Sequence, residues 1–282
     1  MSVGEDVAAR VRSHWGAASD VGNRRVLNED SFLAEAPVFV VADGMGGHDA
    51  GEVASAVVIE ELWSFVGSPD VTSAQVQNCL AQAQDRIRAI EAAPGRGAGT
   101  TVTGVLVTEL EGVPYWLVLN LGDSRTYRLS DGELEQISVD HSEVQELIDD
   151  GLLTAAEAIH HPRRNVVTRA LGVGDGLDVD YWLIPIEEHD RMLVCSDGLT
   201  GEVMDPDIAA ILLDTSDPQA AADALVAAAL VAGGKDNVTV LVIDAYGIEA
   251  SGPQEHTAPR SFPENDTEDT LPRLRIAEME RD

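Results

Sequence analysis

The sequence predicts an α+β fold in which helices pack on antiparallel sheets. Three observations carry this prediction. Short apolar runs typical of strands recur along the chain, tight-turn signals join several of them, and pairs of amphipathic helical segments lie between the strand-rich stretches. Closely spaced hairpins favour antiparallel over parallel pairing. Strand-rich stretches that alternate with helix pairs favour separate layers of sheet and helix.

The predicted strands are short runs bounded by glycine and aspartate. The turn signals Glu111-Gly112 and Ser130-Asp131-Gly132 join neighbouring runs as hairpins. The predicted strands cover residues 38–42, 101–108, 115–121, 125–129, 181–186, 192–195 and 238–244.

The predicted helices show apolar residues at helical spacing. The segment 73–90 has the clearest start, because Thr72 or Ser73 can serve as its N-cap. The last two helices carry a proline near the first turn, where proline is tolerated. The predicted helices cover residues 50–66, 73–90, 142–150, 155–159, 206–213 and 218–232. The apolar stretch 220–232 is too short to span a bilayer, so we interpret it as a buried helix.

The charge balance excludes several classes of protein. With 18 basic and 50 acidic residues, the formal net charge is −32, and such a surface repels nucleic acid and anionic membranes. The chain has two cysteines, which excludes a disulfide framework and a zinc-ligand pattern. The N-terminus lacks the apolar core of a signal peptide. We therefore expect a cytoplasmic protein that binds neither nucleic acid nor membrane.

Composition divides the chain into two parts. Residues 1–248 are predicted to form one domain, whereas residues 249–282 contain four prolines, nine acids and four arginines and are predicted to be a disordered acidic tail. The tail is either an inert terminus or a regulatory segment. Thr267 and Thr270 favour the second alternative, because they lie among acids as phosphorylated residues often do.

Four aspartates stand beside small residues where an apolar strand ends or begins. Asp43, Asp123 and Asp197 each follow a strand, and Asp236 precedes one. One such aspartate is usually a turn former or a helix cap. Four partly buried carboxylates repel one another and need cations, and an all-oxygen donor set selects hard ions such as Mg²⁺ or Mn²⁺. Only His48 and Cys195 lie in these turns, which disfavours zinc.

Gly44 and Arg25 lie next to these acids in the sequence and extend the candidate site. Gly44 would let a backbone carbonyl approach a metal closely, and the glycine cluster around it lacks the lysine of a nucleotide phosphate loop. Arg25 precedes the acids Glu29 and Asp30. Its guanidinium could bind phosphate oxygens in a bidentate fork, or it could form a local surface ion pair.

The ordered set of motifs resembles the bacterial metal-dependent protein serine/threonine phosphatases of type 2C, across roughly residues 14–244. The resemblance implies a four-layer α-β-β-α sandwich with two central antiparallel sheets. The motifs are Arg25…Asn28-Glu29-Asp30, Val41-Ala42-Asp43-Gly44-Met45-Gly46-Gly47-His48, Gly99-Thr100-Thr101, Gly122-Asp123-Ser124-Arg125, Asp140-His141-Ser142, Ser196-Asp197-Gly198 and Lys235-Asp236-Asn237.

The resemblance also implies a metal centre of two Mn²⁺ or Mg²⁺ ions. Asp43 should bridge the two ions, with Asp197 and Asp236 completing the first and the Gly44 carbonyl serving the second. Glu29 should act through a coordinated water.

A third, weaker metal site is implied at Asp123 together with Asp197, and Arg25 should hold the substrate phosphate. Arg25, Asp43 and Asp197 would then form the catalytic group. The proton donor to the leaving alkoxide is open, because Met45 stands where the eukaryotic members carry a histidine. A coordinated water is the preferred donor and His48 the second candidate.

The resemblance predicts that a metal-activated water hydrolyses phosphoserine and phosphothreonine in proteins, opposing cytoplasmic serine/threonine kinases. The expected partners are phosphoprotein substrates and these kinases, and we expect a monomer. The basic stretch with Arg163 and Arg164 resembles a flap beside the active site, where it either packs on the surface or contacts substrate. Two alternatives stay open: a two-metal phosphatase of small phosphoesters, and a weakly active metal-binding regulatory relative.

Overall fold

The computed structural model describes residues 2–5, 11–46, 50–68, 70–90, 97–174 and 176–248. His48 and the predicted tail, with Thr267 and Thr270, lie outside these ranges. The described residues up to Ile248 belong to one compact unit. The domain boundary drawn after residue 248 remains a prediction.

The strands agree with the predicted runs and add several that the sequence did not predict. In chain order they are β1 (Ser2–Glu5), β2 (Arg12–Asp20), β3 (Asp30–Glu35), β4 (Val38–Met45), β5 (Gly99–Thr100), β6 (Val102–Leu110), β7 (Val113–Leu121), β8 (Arg125–Ser130), β9 (Glu133–Gln136), β10 (Asp180–Pro185), β11 (Arg191–Cys195) and β12 (Val238–Tyr246).

Six of the helices lie where the sequence predicts them, although α1 ends before residue 66, and the short helix α5 was not predicted. They are α1 (Ala50–Leu62), α2 (Ser73–Arg88), α3 (Glu143–Asp149), α4 (Ala155–Ala158), α5 (Asp197–Thr200), α6 (Asp205–Asp214) and α7 (Pro218–Ala232). Thr72 caps α2 in a capping box with Gln75. Within the described ranges, no helix is long and apolar enough to cross a bilayer.

Two antiparallel sheets form the centre of the domain. The first has the strand order β1-β2-β12-β11-β8-β9, and the second has the order β10-β7-β6-β4-β3 with β5 added to β4. The strands that pair within each sheet run antiparallel. The predicted antiparallel α+β fold is therefore confirmed.

Three hydrophobic clusters separate the four layers. One lies between the sheets and includes Phe39, Trp116 and Ile243. A second packs α1 and α2 on one sheet, and a third packs α6 and α7 on the other. Strand β4 shows how the sequence allows this, because Val38 and Val40 face the helices while Phe39 faces the other sheet. A strand covered on both faces is apolar throughout, and the four-layer sandwich is confirmed.

Candidate active site

Strand pairing brings the predicted acidic turns to one end of the sandwich. Asp30 and Asp43 are directly paired across β3 and β4. Cys195 at the end of β11 pairs with Arg125 at the start of β8, so the turns that carry Asp197 and Asp123 lie at the same end. The turn that carries Asp236 leads into β12, whose first residue pairs with the last residue of β2.

Asp43 lies at the centre of the carboxylate cluster. Burial removes most of the hydration of its carboxyl and raises its pKa well above the usual range, and four neighbouring acids raise it further. These acids are Asp30, Asp197, Asp123 and Asp236. The sequence placed Asp43 after a strand, whereas β4 continues through it to Met45, because β5 pairs with the end of β4.

Asp197 is the first residue of the short helix α5 and lies beside Asp43. Burial and the nearby charge of Asp236 raise the pKa of Asp197 to about 6. A cation bound beside these carboxyl groups would favour their charged forms and offset the repulsion between them.

Arg25 is the cation at the edge of this cluster. Its guanidinium donates to the Asp236 carboxylate at 2.7 Å and lies 3.9 Å from the Glu29 carboxylate, while 48% of its side chain stays exposed. The hydrogen bond to Asp236 raises the pKa of Arg25, which keeps it charged. Arg25 therefore forms the local ion pair that the sequence allowed, and it does so beside the carboxylate cluster.

Asp123 is buried in the turn between β7 and β8, with 8% of its surface exposed. Burial, followed by repulsion from Asp197 and Asp140, raises its pKa to about 8. The neighbouring Arg125 offsets this repulsion only in part, because its guanidinium forms a bidentate pair with Asp140 at 2.9 and 2.7 Å. The sequence places Arg125 in a motif but does not indicate that Asp140 is its partner.

Asp30 lies under the cluster and is held by hydroxyl groups. One carboxylate oxygen accepts hydrogen bonds from Ser196 and Thr239, each at 2.8 Å, and the other is buried and accepts none. Burial raises the pKa of Asp30 to about 7. An unpartnered buried carboxylate oxygen fits a site that lacks positive charge.

Two glycines allow the turns to approach one another. A Cβ on Gly44 would lie 2.2 Å from the Gly51 carbonyl oxygen and 2.5 Å from the Glu29 carbonyl oxygen. A Cβ on Gly198 would lie 1.9 Å from the Asn237 carbonyl oxygen. A side chain on Gly44 would push β4 away from Glu29 and Gly51, and one on Gly198 would push α5 away from Asn237.

The donor set fits hard divalent cations in its chemistry. The converging groups are carboxylates and backbone carbonyls, the ligands that Mg²⁺ and Mn²⁺ prefer. Across the described ranges, however, no three acid, histidine or cysteine side chains already stand in a metal-binding arrangement. In this arrangement the Asp236 carboxylate is paired with Arg25.

The predicted flap residues Arg163 and Arg164 form contacts within their own segment. Arg163 forms an ion pair with Glu143 at the start of α3. Arg164 is exposed, and only its backbone amide forms a described contact, with the His161 carbonyl at 3.2 Å. The structure does not bring either arginine into contact with the carboxylate cluster.

Comparison with known proteins agrees with this geometry. The chain matches the sequence profile of a family described as protein phosphatase 2C over residues 23–232. The serine/threonine phosphatase stp of Listeria welshimeri is 34% identical over 245 residues, which are 82% of this chain and 95% of the relative.

Solved structures show the same fold. The crystal structure of the Mycobacterium tuberculosis serine/threonine phosphatase PstP/Ppp has a TM-score of 0.76 at 38% identity, over 82% of this chain and 98% of that one. A structure of the PstP catalytic domain in complex with two manganese ions has a TM-score of 0.73 at 36% identity, over 84% and 99% of the chains. This chain therefore belongs to the protein phosphatase 2C family of metal-dependent protein serine/threonine phosphatases.

Proposed function

We propose that the carboxylate cluster holds two divalent cations, Mn²⁺ or Mg²⁺, and that Arg25 binds the phosphate of phosphoserine and phosphothreonine substrates. One observation carries the proposal: Asp43 lies among four other acids, while Arg25 is partly exposed at the edge of the cluster. A cluster with this excess of negative charge is stabilised by cations from outside the chain.

The proposed ligands follow from the positions of the side chains and the carbonyl. Asp43 would bridge both ions, with Asp197 and Asp236 on the first and the Gly44 carbonyl on the second. Glu29 would act through a coordinated water, since its carboxylate lies at the Arg25 end of the cluster. The two-manganese structure of PstP supports the count of two.

The bound cations would lower the pKa of a water so that it can attack phosphorus at neutral pH. The chain supplies the rest. Arg25 offers a charged, planar fork to two phosphate oxygens and stabilises charge that develops on them during transfer. The leaving alkoxide still needs a proton, and Met45 has no titratable group to donate one.

A third, weaker cation site is proposed at Asp123 and Asp197. Burial, followed by repulsion from Asp197, raises the pKa of Asp123. Arg125 offsets only part of the repulsion between Asp123 and Asp197, because its guanidinium is hydrogen-bonded to Asp140. A third ion would supply the missing charge.

The proposed partners are phosphoprotein substrates and the serine/threonine kinases that phosphorylate them. Arg164 is proposed to contact the substrate protein outside its phosphate, together with Arg163 once the pair with Glu143 opens. The domain is proposed to act as a monomer.

The test is phosphate release from phosphoserine, phosphothreonine and phosphotyrosine peptides with and without Mn²⁺. We expect Mn²⁺-dependent release from the first two peptides. Metal catalysis supplies several kcal/mol, so Asp197→Asn should lower kcat at least about 100-fold. The matched control is Asp207→Asn, an exposed acid on α6 that should retain full activity. Metal-independent release would contradict the proposal, and a preference for small phosphoesters would favour the alternative substrate class.

A further inference from the structure

The segment 142–170, which contains α3 and α4, is closed at its base by backbone hydrogen bonds. The Glu143 amide donates to the Val166 carbonyl at 2.9 Å, and the Thr168 amide donates to the His141 carbonyl at 2.8 Å. Ser142 and Val167 form an isolated antiparallel bridge. The two ends of the segment are therefore held together. We call residues 167–172, which form the end of the segment and the two residues after it, the neck.

The neck is bound to Thr100 in the short strand β5. The Thr100 amide donates to the Leu171 carbonyl at 3.1 Å, and the Leu171 amide donates to the Thr100 carbonyl at 2.9 Å. Both residues are fully buried. A reciprocal pair of buried backbone bonds fixes the distance between the neck and β5.

On its other side, Thr100 holds the strand that carries Asp43. Thr100 pairs with Gly44 across β5 and β4, and its hydroxyl lies 2.9 Å from the Asp43 carbonyl oxygen and equally far from the Thr101 carbonyl oxygen. Thr101 adds a second pair of bonds: its amide donates to the Asp43 carbonyl at 2.9 Å, and its hydroxyl accepts from the Asp43 amide at 3.1 Å.

Packing around β5 leaves little room for independent movement. A Cβ on Gly99 would lie 2.9 Å from the Val173 side chain and 3.3 Å from the Met45 side chain. A Cβ on Gly172 would lie 2.4 Å from the Ala98 carbonyl oxygen. Close-packed elements of this kind transmit a shift from one to the next.

We infer that Thr100 is a positioning residue that couples the neck of the segment 142–170 to the backbone of Asp43. The inference rests on the proposed function, because Asp43 is the proposed bridging ligand. Its side-chain hydroxyl fixes the Asp43 carbonyl, while its backbone fixes the neck. Binding of a cation at Asp43 should therefore tighten the neck, and loss of the hydroxyl should weaken the cation site.

The first measurement is Mn²⁺ binding by calorimetry to the full chain after treatment with a chelator. Thr100→Val removes the hydroxyl and keeps the shape, whereas Thr100→Ser keeps the hydroxyl. Residues that orient metal ligands typically contribute 10–100-fold to metal affinity. We expect Thr100→Val to weaken Mn²⁺ binding about tenfold or more, and Thr100→Ser to stay within about threefold of the wild type.

Thr103→Val is the matched control. Thr103 is equally buried, and its hydroxyl contacts the Thr126 hydroxyl at 3.0 Å and the Leu119 carbonyl oxygen at 3.4 Å rather than Asp43. Losing this hydroxyl removes a buried hydrogen bond of the same kind, so it should lower stability to a similar extent. It should leave the affinity for Mn²⁺ unchanged.

The second measurement needs no variant and so survives a failure of Thr100→Val to fold. Amide hydrogen exchange reports local opening. In the wild type, Mn²⁺ should slow exchange of the Leu171 and Thr168 amides about tenfold or more. The Ile186 amide, which donates to Pro114 at the other end of the sheet, should change much less.

The outcomes separate the two proposals. A wild type that binds no Mn²⁺ overturns the proposed metal site, and this inference with it. A wild type that binds Mn²⁺ without slowing exchange in the neck overturns the coupling alone. Two outcomes would overturn the assignment to the hydroxyl. One is that Thr100→Val binds Mn²⁺ as tightly as the wild type, and the other is that Thr100→Ser loses as much Mn²⁺ affinity as Thr100→Val.

Discussion

Strand β11 joins two aspartates, the buried Asp190 and the half-buried Asp197, whose surroundings are opposite. Asp190 immediately precedes the strand, and its carboxylate accepts from Arg128 at 2.9 Å, from the Trp116 indole at 3.2 Å and from the Glu187 amide at 3.0 Å. Asp197 follows the other end and has carboxylates as its neighbours. Five residues of strand, about 17 Å, separate the two ends.

The difference shows that burial of an acid does not by itself make a functional site. At the Asp190 end, arginine supplies the positive charge, and Arg191 does the same for Asp244 through contacts of 2.6 and 2.8 Å. At the Asp197 end, Arg25 and Arg125 offset only part of the negative charge, and the carboxylates repel one another. A buried acid with its own arginine stabilises the fold, whereas a buried acid among acids fits an external cation.

The largest effect on stability is expected at the paired end. Asp190→Ala should lower the free energy of unfolding by about 3–5 kcal/mol, because it leaves the Arg128 guanidinium and the Trp116 indole without their buried partner. Urea unfolding measures this loss. The kcat/KM of the folded protein should stay at the wild-type value, and a selective loss of activity would break the comparison.

The next-largest effect is stabilisation of the folded protein by metal bound at the Asp197 end of β11. Mn²⁺ at 100 times its Kd should add about 2.7 kcal/mol to the free energy of unfolding. For a domain of this size, that raises Tm by roughly 5–10 °C. Thermal melts with and without Mn²⁺ should show this shift in the wild type and in Asp190→Ala. Asp197→Asn should lose most of it, and an unchanged shift there would remove Asp197 from the metal site.

A smaller effect is expected from Asp197→Asn without metal. The folded pKa of Asp197, about 6, lies above its usual value of 3.8, so its contribution to stability is present below pH 4 and is lost as pH rises through 6. In the presence of a chelator, the variant should therefore be about 1–2 kcal/mol more stable than the wild type at pH 7.5, with no gain at pH 4. Urea unfolding at both values tests this, and Asp207→Asn should show no such change.

The smallest effect concerns exposed arginines of the segment 142–170. Arg164→Gln should raise KM for a phosphopeptide about threefold and leave KM for a small aryl phosphate unchanged, since exposed charge pairs contribute less than about 1 kcal/mol. Arg163→Gln should do less, because Arg163 is already paired with Glu143. Equal changes for both substrates would argue against a contact with the substrate protein.

The positions of the acidic turns at the ends of strands could be predicted because the sequence signals are local. Strand, glycine and aspartate follow one another in the chain, and antiparallel pairing brings strand ends together. The sequence analysis did not predict β2, because its central residues Gly16, Ala17 and Ala18 have little strand propensity. They suit the α7 contact instead: Gln219 forms hydrogen bonds with both backbone groups of Ala17, and a Cβ on Gly16 would lie 2.2 Å from the Gln219 Cα.

The charge partners could not be predicted from sequence. Arg125 and Arg128 lie three residues apart on β8, yet one pairs with Asp140 beside the carboxylate cluster and the other with Asp190 at the far end. Alternation along a strand turns neighbours to opposite faces, but which acid meets each arginine depends on the loops. The contacts of Thr100 could not be predicted for the same reason, since those to Leu171 and Asp43 are tertiary.

The pairing of β2 with β12 has a consequence for the order in which the protein folds. Arg25 and Asp236, joined by a hydrogen bond, are 211 positions apart in the chain. Contacts of such long range form slowly, because a large loop must close before they contribute any stability. We therefore expect Asp236 to join Asp43 only after β12 has paired with β2. A chain still emerging from the ribosome holds Asp43 without Asp236, so we expect the complete carboxylate cluster to be among the last features of the molecule to form.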